Sequence, residues 1–314
     1  MCNLFKMSFF SLCLLLITTA SVQAKAFNGF DLSNSLIDKK LIVQGGPPRD
    51  GIPPINNPKY VSAGEASFMQ VDDIVLGFVI ADKAYAYPRH ILNWHEIVND
   101  QANEEPFAIT YCPLCGSGLA FSAKLGGKQL SFGVSGLLYN NDLVFYDKET
   151  ESLWSQIEGR SIAGNFVGQK LQQLPLVHIT WEAWKRQHPD TLVLSQEQGF
   201  KRNYRHDPYT GYETSSQVFF KTLRQAPRDF HSKERVLGIT INGAAKAYPF
   251  SELKKAGKSS FEDSLAGTIY TVLWDEKAQS ASLDINQGKP LTPTVAFWFA
   301  WYNFHPKTEV FKAE

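Results

Sequence analysis

Val75-Leu76-Gly77-Phe78-Val79-Ile80, continued by Ala84-Tyr85-Ala86-Tyr87-Pro88 and Leu92, recurs 161 residues later. There it reads Val236-Leu237-Gly238-Ile239-Thr240-Ile241, Ala245-Lys246-Ala247-Tyr248-Pro249 and Leu253. Nine of the eighteen positions from Val75 to Leu92 are identical at that spacing. About one or two matches are expected by chance, so the pattern predicts an internal duplication. Each copy reads as an apolar strand, a turn, a second strand ending at Tyr-Pro and a short helix. Asp82-Lys83 and Asn242-Gly243 supply the turns, and a proline opening a helix loses no hydrogen bond because its missing N–H would be unpaired there anyway. A looser likeness at a spacing of 158 sets Tyr146-Asp147-Lys148-Glu149-Thr150-Glu151 beside Phe304-His305-Pro306-Lys307-Thr308-Glu309.

Outward from the repeat, more strands are expected at Ala108–Tyr111, Leu119–Ala123, Lys128–Val134, Leu143–Tyr146 and Ser152–Ser155. A helix is expected from Thr180 to His188, with Thr180 as N-cap and Pro189 closing it. Trp298-Phe299-Ala300-Trp301-Tyr302 reads as a buried strand. The expected fold is mainly β with short helices (α+β), its two related halves packed as one globular unit. The corresponding division is a leader at 1–24, an N-terminal segment at 25–65, a first half at 66–200 and a second, degenerate half at 201–314.

The chain has 314 residues, 44% of them hydrophobic and 20% charged, which excludes a disordered chain and a multi-span membrane protein. Lys and Arg together number 31, as do Asp and Glu, so no surplus positive charge is available to meet phosphates and no nucleic-acid partner is expected. Lys6, the apolar run Phe9–Ala20 and the small-x-small pattern Val22-Gln23-Ala24 have the layout of a secretory signal peptide cut after Ala24. The run is shorter than the ~18–20 residues of a spanning helix, so a secreted or periplasmic protein with no integral membrane segment after cleavage is expected. Cleavage removes Cys2 and Cys13 and leaves Cys112, Cys115 and a single methionine, Met69, which counts against a Met-rich copper carrier.

Those two cysteines sit in Tyr111-Cys112-Pro113-Leu114-Cys115-Gly116. A C-P-x-C-G turn aims both sulfurs at one point, with backbone N–H groups to support thiolate charge and a glycine free to adopt a left-handed conformation. Gly116 stands where a covalent haem motif needs histidine. A redox-active pair and an inert disulfide are the competing readings in an oxidising compartment. A strand-like Leu119-Ala120-Phe121, not a helix, follows the pair, unlike a thioredoxin-type motif.

Two sulfurs need further ligands, and histidine is the natural one. Of His90 and His95, the second is favoured as the third ligand, because Glu96 follows it and Asn99-Asp100 offers groups to orient the ring. A mononuclear site of Cys112, Cys115 and His95 leaves one position open, the layout of a catalytic zinc, with Glu96 as acid/base and Asp100 behind it. Zinc is the first metal expected and copper the second; the substrate is an unknown small molecule. The rivals are a thiol–disulfide protein using the same pair and a binding module with a structural knuckle. Asn140-Asn141-Asp142 and Tyr204-Arg205-His206-Asp207-Pro208-Tyr209 read as turns, the second as a turn or a pocket wall.

Several motifs together resemble the bacterial family called domain of unknown function 3179. They are Tyr87-Pro88-Arg89 with His95-Glu96-Ile97-Val98-Asn99-Asp100, the cysteine turn, Ser135-Gly136-Leu137-Leu138-Tyr139, and Tyr146-Asp147 with Ser152-Leu153-Trp154-Ser155-Gln156. Thr180-Trp181 with Trp184 and the stretch Phe297–Trp301 complete the set. The resemblance covers most of the chain beyond the leader and implies no activity.

Overall fold

A hairpin of two strands joined by a tight turn recurs in the two halves of the molecule. The computed structural model describes residues 27–285 and 290–314, so the leader expected at 1–24 lies outside the described residues. In the first half the elements are β1 (Ile74–Ile80), β2 (Lys83–Pro88), α1 (Arg89–His95), β3 (Ile97–Ala102), β4 (Glu105–Cys112) and β5 (Ser117–Ser122). A separate sheet follows, built from β6 (Phe132–Tyr139), β7 (Asp142–Asp147), β8 (Leu153–Ser155) and β9 (Arg160–Ala163). Then come β10 (Val177–Thr180), α2 (Trp181–Gln187) and β11 (Leu192–Leu194). The second half holds β12 (Arg235–Ile241), β13 (Ala244–Pro249), α3 (Phe250–Ala256), β14 (Ser260–Leu265), β15 (Thr268–Asp275) and β16 (Ser280–Asp284). It ends with β17 (Thr294–Phe297), α4 (Trp298–Phe304) and β18 (Glu309–Val310). The fold is mostly β with four short helices, as the composition and the strand-like runs imply.

The pairing pattern is the same in both halves. β10 and β2 flank β1 antiparallel while β11 adds parallel to β2, and β17 and β13 flank β12 while β18 adds parallel to β13. Both hairpins turn through two residues of positive φ, Asn242-Gly243 as expected and Ala81-Asp82 one residue earlier than the expected Asp82-Lys83, since Lys83 pairs with Ile80 in the strand. The side chains that lock the halves also correspond. Trp184 Nε1 donates to Thr191 Oγ1 at 2.9 Å and Trp301 Nε1 to Thr308 Oγ1 at 3.0 Å. His188 and His305 lie 4.1 and 4.0 Å from the rings of Trp184 and Trp301. Each indole passes over a glycine, Gly77 or Gly238, where a Cβ would overlap the ring.

Three local expectations are corrected by this arrangement. Trp298–Tyr302 belongs to helix α4 and not to a strand: Trp298 and Trp301 stand at helical spacing, as Trp181 and Trp184 do, and burial of the neighbouring residues hides the amphipathic signature. Thr180 holds the N-cap position of α2, yet its side chain makes no capping bond; Trp181 N–H and Glu182 N–H donate to Asp73 O and Val71 O instead. The likeness at a spacing of 158 joins unlike elements, since Tyr146–Glu151 closes β7 while Phe304–Glu309 runs from α4 into β18.

The halves differ most between their meanders and their last helices. β3–β5 is followed by residues 123–176, carrying the sheet β6–β9, where β14–β16 is followed only by 285–293. The strand Ile42–Gln44 edges this extra sheet, and β5 meets β17 at Gly118↔Val295, which joins the halves. A methyl group at Gly77 or Gly238 has nowhere to go without moving an indole. G77A and G238A are each expected to lose about 1–3 kcal/mol of stability, read as a lower urea midpoint; unchanged midpoints would contradict this packing.

Candidate metal centre

The cysteine turn is the four-residue loop between β4 and β5, closed by the register pair Cys112↔Ser117. Cys115 N–H donates to Cys112 O at 3.2 Å, and Gly116 takes the left-handed conformation (φ 59°) that the loop requires. A side chain there would also strike Phe297, whose N–H donates to Cys115 O at 2.7 Å. The turn is therefore pinned by the second half of the molecule, at the junction of β17 and α4.

The third group comes from the inserted sheet. β6 and β7 form a hairpin paired at Tyr139↔Asp142, with Asn140 (φ 54°) and Asn141 (φ 71°) as its two turn residues. That turn carries Asn141 O to 3.2 Å from Cys115 Sγ and 4.0 Å from Cys112 Sγ. It also brings a carboxylate oxygen of Asp142 into one cluster with both sulfurs, all three ligand atoms within 4.8 Å of one another. Asp142 is held in place from behind. Ile157 N–H donates to Oδ2 at 3.0 Å, and the single proton of Ser117 Oγ serves either Asp142 Oδ1 at 3.2 Å or Gln156 Oε1 at 2.6 Å. Gln156 Nε2 in turn donates to Thr110 Oγ1 at 3.0 Å.

Burial dominates the electrostatics. Cys112 is 2% exposed, Cys115 is fully buried and Asp142 is 1% exposed. Loss of water pushes the Asp142 carboxyl up to about 7, against the pull of its backbone and hydroxyl donors. Both thiols are pushed up by burial, Cys115 furthest, while the Cys115 side chain and amide draw the Cys112 thiol back towards its thiolate. Glu96 stands at the end of α1 in a left-handed conformation (φ 58°), buried, with its carboxyl pushed up to about 8 by desolvation and by the neighbouring Asp142 charge. No Lys or Arg among the described residues makes an ion pair with any of these four groups.

His95 is not brought to the sulfurs. It is buried, its Nδ1 lies 2.7 Å from Pro53 O and its Nε2 2.7 Å from Tyr204 Oη, so a neutral ring donates through one nitrogen and accepts through the other. No lone pair is left for a cation. Asp100 also stands elsewhere, accepting at 2.5 Å from Tyr60, which meets Tyr87; in the second half Asp263 accepts from Tyr248, which meets Tyr270. Glu96 does lie beside the cluster, although its carboxylate is not one of the three atoms. The segment read as a turn, Tyr204–Tyr209, is part of a long irregular stretch strapped over the site. Asp207 accepts from Asn93 at 2.9 Å, Arg89 pairs with Glu213 at 2.7 Å, Tyr212 Oη donates to Leu114 O and Asn141 Nδ2 donates to Phe220 O. Asn140-Asn141-Asp142 is a turn as expected; what its spacing does not reveal is that this turn folds back over the cysteines from 25 to 30 residues away.

Residues 49–292 match a family described as "Protein of unknown function (DUF3179)". No curated relative and no solved structure matches the chain.

A buried carboxyl that prefers its proton weakens the fold as the pH rises. Glu96 titrates near its ordinary value in the unfolded chain and at about 8 in the folded one, so folding retains a proton that the unfolded chain releases. The associated stability is complete below about pH 4.5 and is lost as the pH climbs to about 8. In chelator-treated protein, E96Q should therefore gain stability relative to the parent between pH 5 and pH 8, measured by urea denaturation. A difference that stays constant or shrinks would contradict the burial of a neutral Glu96.

Proposed function

This chain belongs to the DUF3179 family, and we propose that it is an exported protein with one metal ion held by Cys112, Cys115 and Asp142. The observation that carries the reading is the meeting of two sulfurs and a carboxylate in a buried volume, with no Lys or Arg among the described residues paired to them. Each of these groups binds a metal only after losing its proton, and each resists losing it when buried alone. A divalent cation resolves that conflict at once. Asp142 in place of the expected His95 makes the set two soft ligands and one hard one, which favours zinc over monovalent copper.

Three protein ligands leave a fourth position. The carbonyl oxygen of Asn141, beside both sulfurs, would close it; a water or a substrate atom would open the way to chemistry, with Glu96 holding or releasing a proton at its carboxyl. The metal would supply Lewis acidity there. The substrate is proposed only as a small molecule, reaching the site past the strap that carries Tyr209 and Tyr212. Export rests on the leader-like layout of residues 1–24, and a bound metal would protect the two thiols in an oxidising compartment. A thiol–disulfide role is less well supported: the cysteines are free, buried and shifted towards the thiol, where a reactive pair is accessible and shifted towards thiolate.

Elemental analysis of the mature, untagged protein tests this. One zinc per chain is expected in the parent and in H95Q, and at least a large loss in C112S and D142N, with circular dichroism confirming that each is folded. Parent and C112S equally free of metal, or H95Q losing metal that D142N keeps, would overturn the ligand set. Stripping the metal separates the remaining roles: unfolding on removal marks a structural ion, and a fold that survives marks an open one.

A further inference from the structure

Away from the cysteines, the inserted sheet and the second half enclose a cleft of about 530 Å³. Arg160 and Lys170 line one wall, brought side by side by a β-bridge between their backbones. The opposite wall is the β12–β13 hairpin with Thr240 and Asn242, together with Thr294 and the His305 ring packed at a tilt against Trp301. Arg160 Nε is buried and has no hydrogen-bond partner, and neither cation has a carboxylate within ion-pair distance among the described residues. Glu158, exposed at the rim, is the one acid lining the cleft. Lys170 is exposed and Arg160 partly exposed, so the two cations lining the cleft are open to an oxyanion that enters it.

The first half supplies an internal comparison. A groove there runs beside the His188 ring, which is packed at a tilt against Trp184, and is lined by Asp82, Lys83 and Asp190. The histidine–tryptophan contact is thus common to both halves, whereas the arginine and the second cation belong to the cleft beside the inserted sheet. His305 is pushed down to about 4, first by burial and then by Lys170, so at neutral pH its ring is an uncharged hydrogen-bonding group facing the cations.

We propose that this cleft binds a small hydroxylated oxyanion, a phosphate or carboxylate on a polyol skeleton. The anion sits on Arg160 and Lys170, and the hydroxyls meet Thr240, Asn242 and Thr294. Guanidinium and ammonium groups recognise both oxyanions, and the hydroxyl and amide side chains opposite match a polar skeleton better than an apolar one. The site is independent of the metal reading.

Isothermal titration of the mature protein with glucose 6-phosphate, with gluconate and with uncharged glucose is the test. Saturable binding of one of the two anions at concentrations up to about 10 mM is expected, with none for glucose; which anion binds identifies the headgroup. Arg160→Gln and Lys170→Gln should each weaken binding by about tenfold or more, as loss of a charge-assisted bond does, while Asp190→Asn in the first-half groove leaves it unchanged. Both variants change partly or fully exposed side chains, and their melting curves should match the parent. Failure of both anions to bind, or binding that both charge-removing variants leave intact, would overturn the proposal.

Discussion

Four groups that carry negative charge when deprotonated, on Cys112, Cys115, Asp142 and Glu96, are buried together, and no Lys or Arg among the described residues forms an ion pair with them. Ionised and unpaired, they would each cost several kcal/mol to hold away from water. The chain can keep them only by leaving protons on them or by giving them a cation, and much of the local structure serves to hold them in place. Gly116 bends the cysteine loop, Phe297 pins it from the other half, and Ile157 and Ser117 fix Asp142 from behind. Such investment in the geometry of acidic groups is what a metal site needs, since ligands must be oriented before the ion arrives.

The scaffold explains why the site is on one side only. Both halves carry the same strand pairing and the same glycine beneath an indole, but among the described residues nothing in the second half corresponds to the sheet carried by 123–176. This insertion contributes Asp142 and Asn141 to the cysteine cluster and Arg160 and Lys170 to the cleft on its other side. Ile157 joins the two places: its N–H holds Asp142 while the residue lines the cleft. A ligand in the cleft would therefore lie against the segment that positions Asp142.

Much of the fold is legible in the sequence because strand alternation and hairpin turns are local. Val75–Leu92 and Val236–Leu253 show the two hairpins and their helices directly, and Cys112–Gly116 shows its turn. What is not local is not legible. Asp142 reaches the sulfurs only because β6 and β7 fold back across β4 and β5, and no spacing rule encodes that return. His95 follows the opposite course. Its place in the chain, just before Glu96 and upstream of the cysteines, suggests a ligand, yet its two nitrogens are taken by Pro53 and Tyr204, the latter 109 residues away. The helix at Trp298–Phe304 is hidden for a third reason: it is buried on nearly all sides, so the alternation that would separate helix from strand is absent.

The central claim concerns which atoms would share a cation, and the absorption spectrum of the cobalt(II)-loaded mature protein addresses that most directly. Intense visible bands of a four-coordinate ion together with a near-ultraviolet sulfur-to-metal charge-transfer band are predicted, the latter lost in C115S, the former altered in D142N and both retained in H95Q. A cobalt spectrum without sulfur charge transfer, or one that responds to His95 and is indifferent to Asp142, would contradict the account.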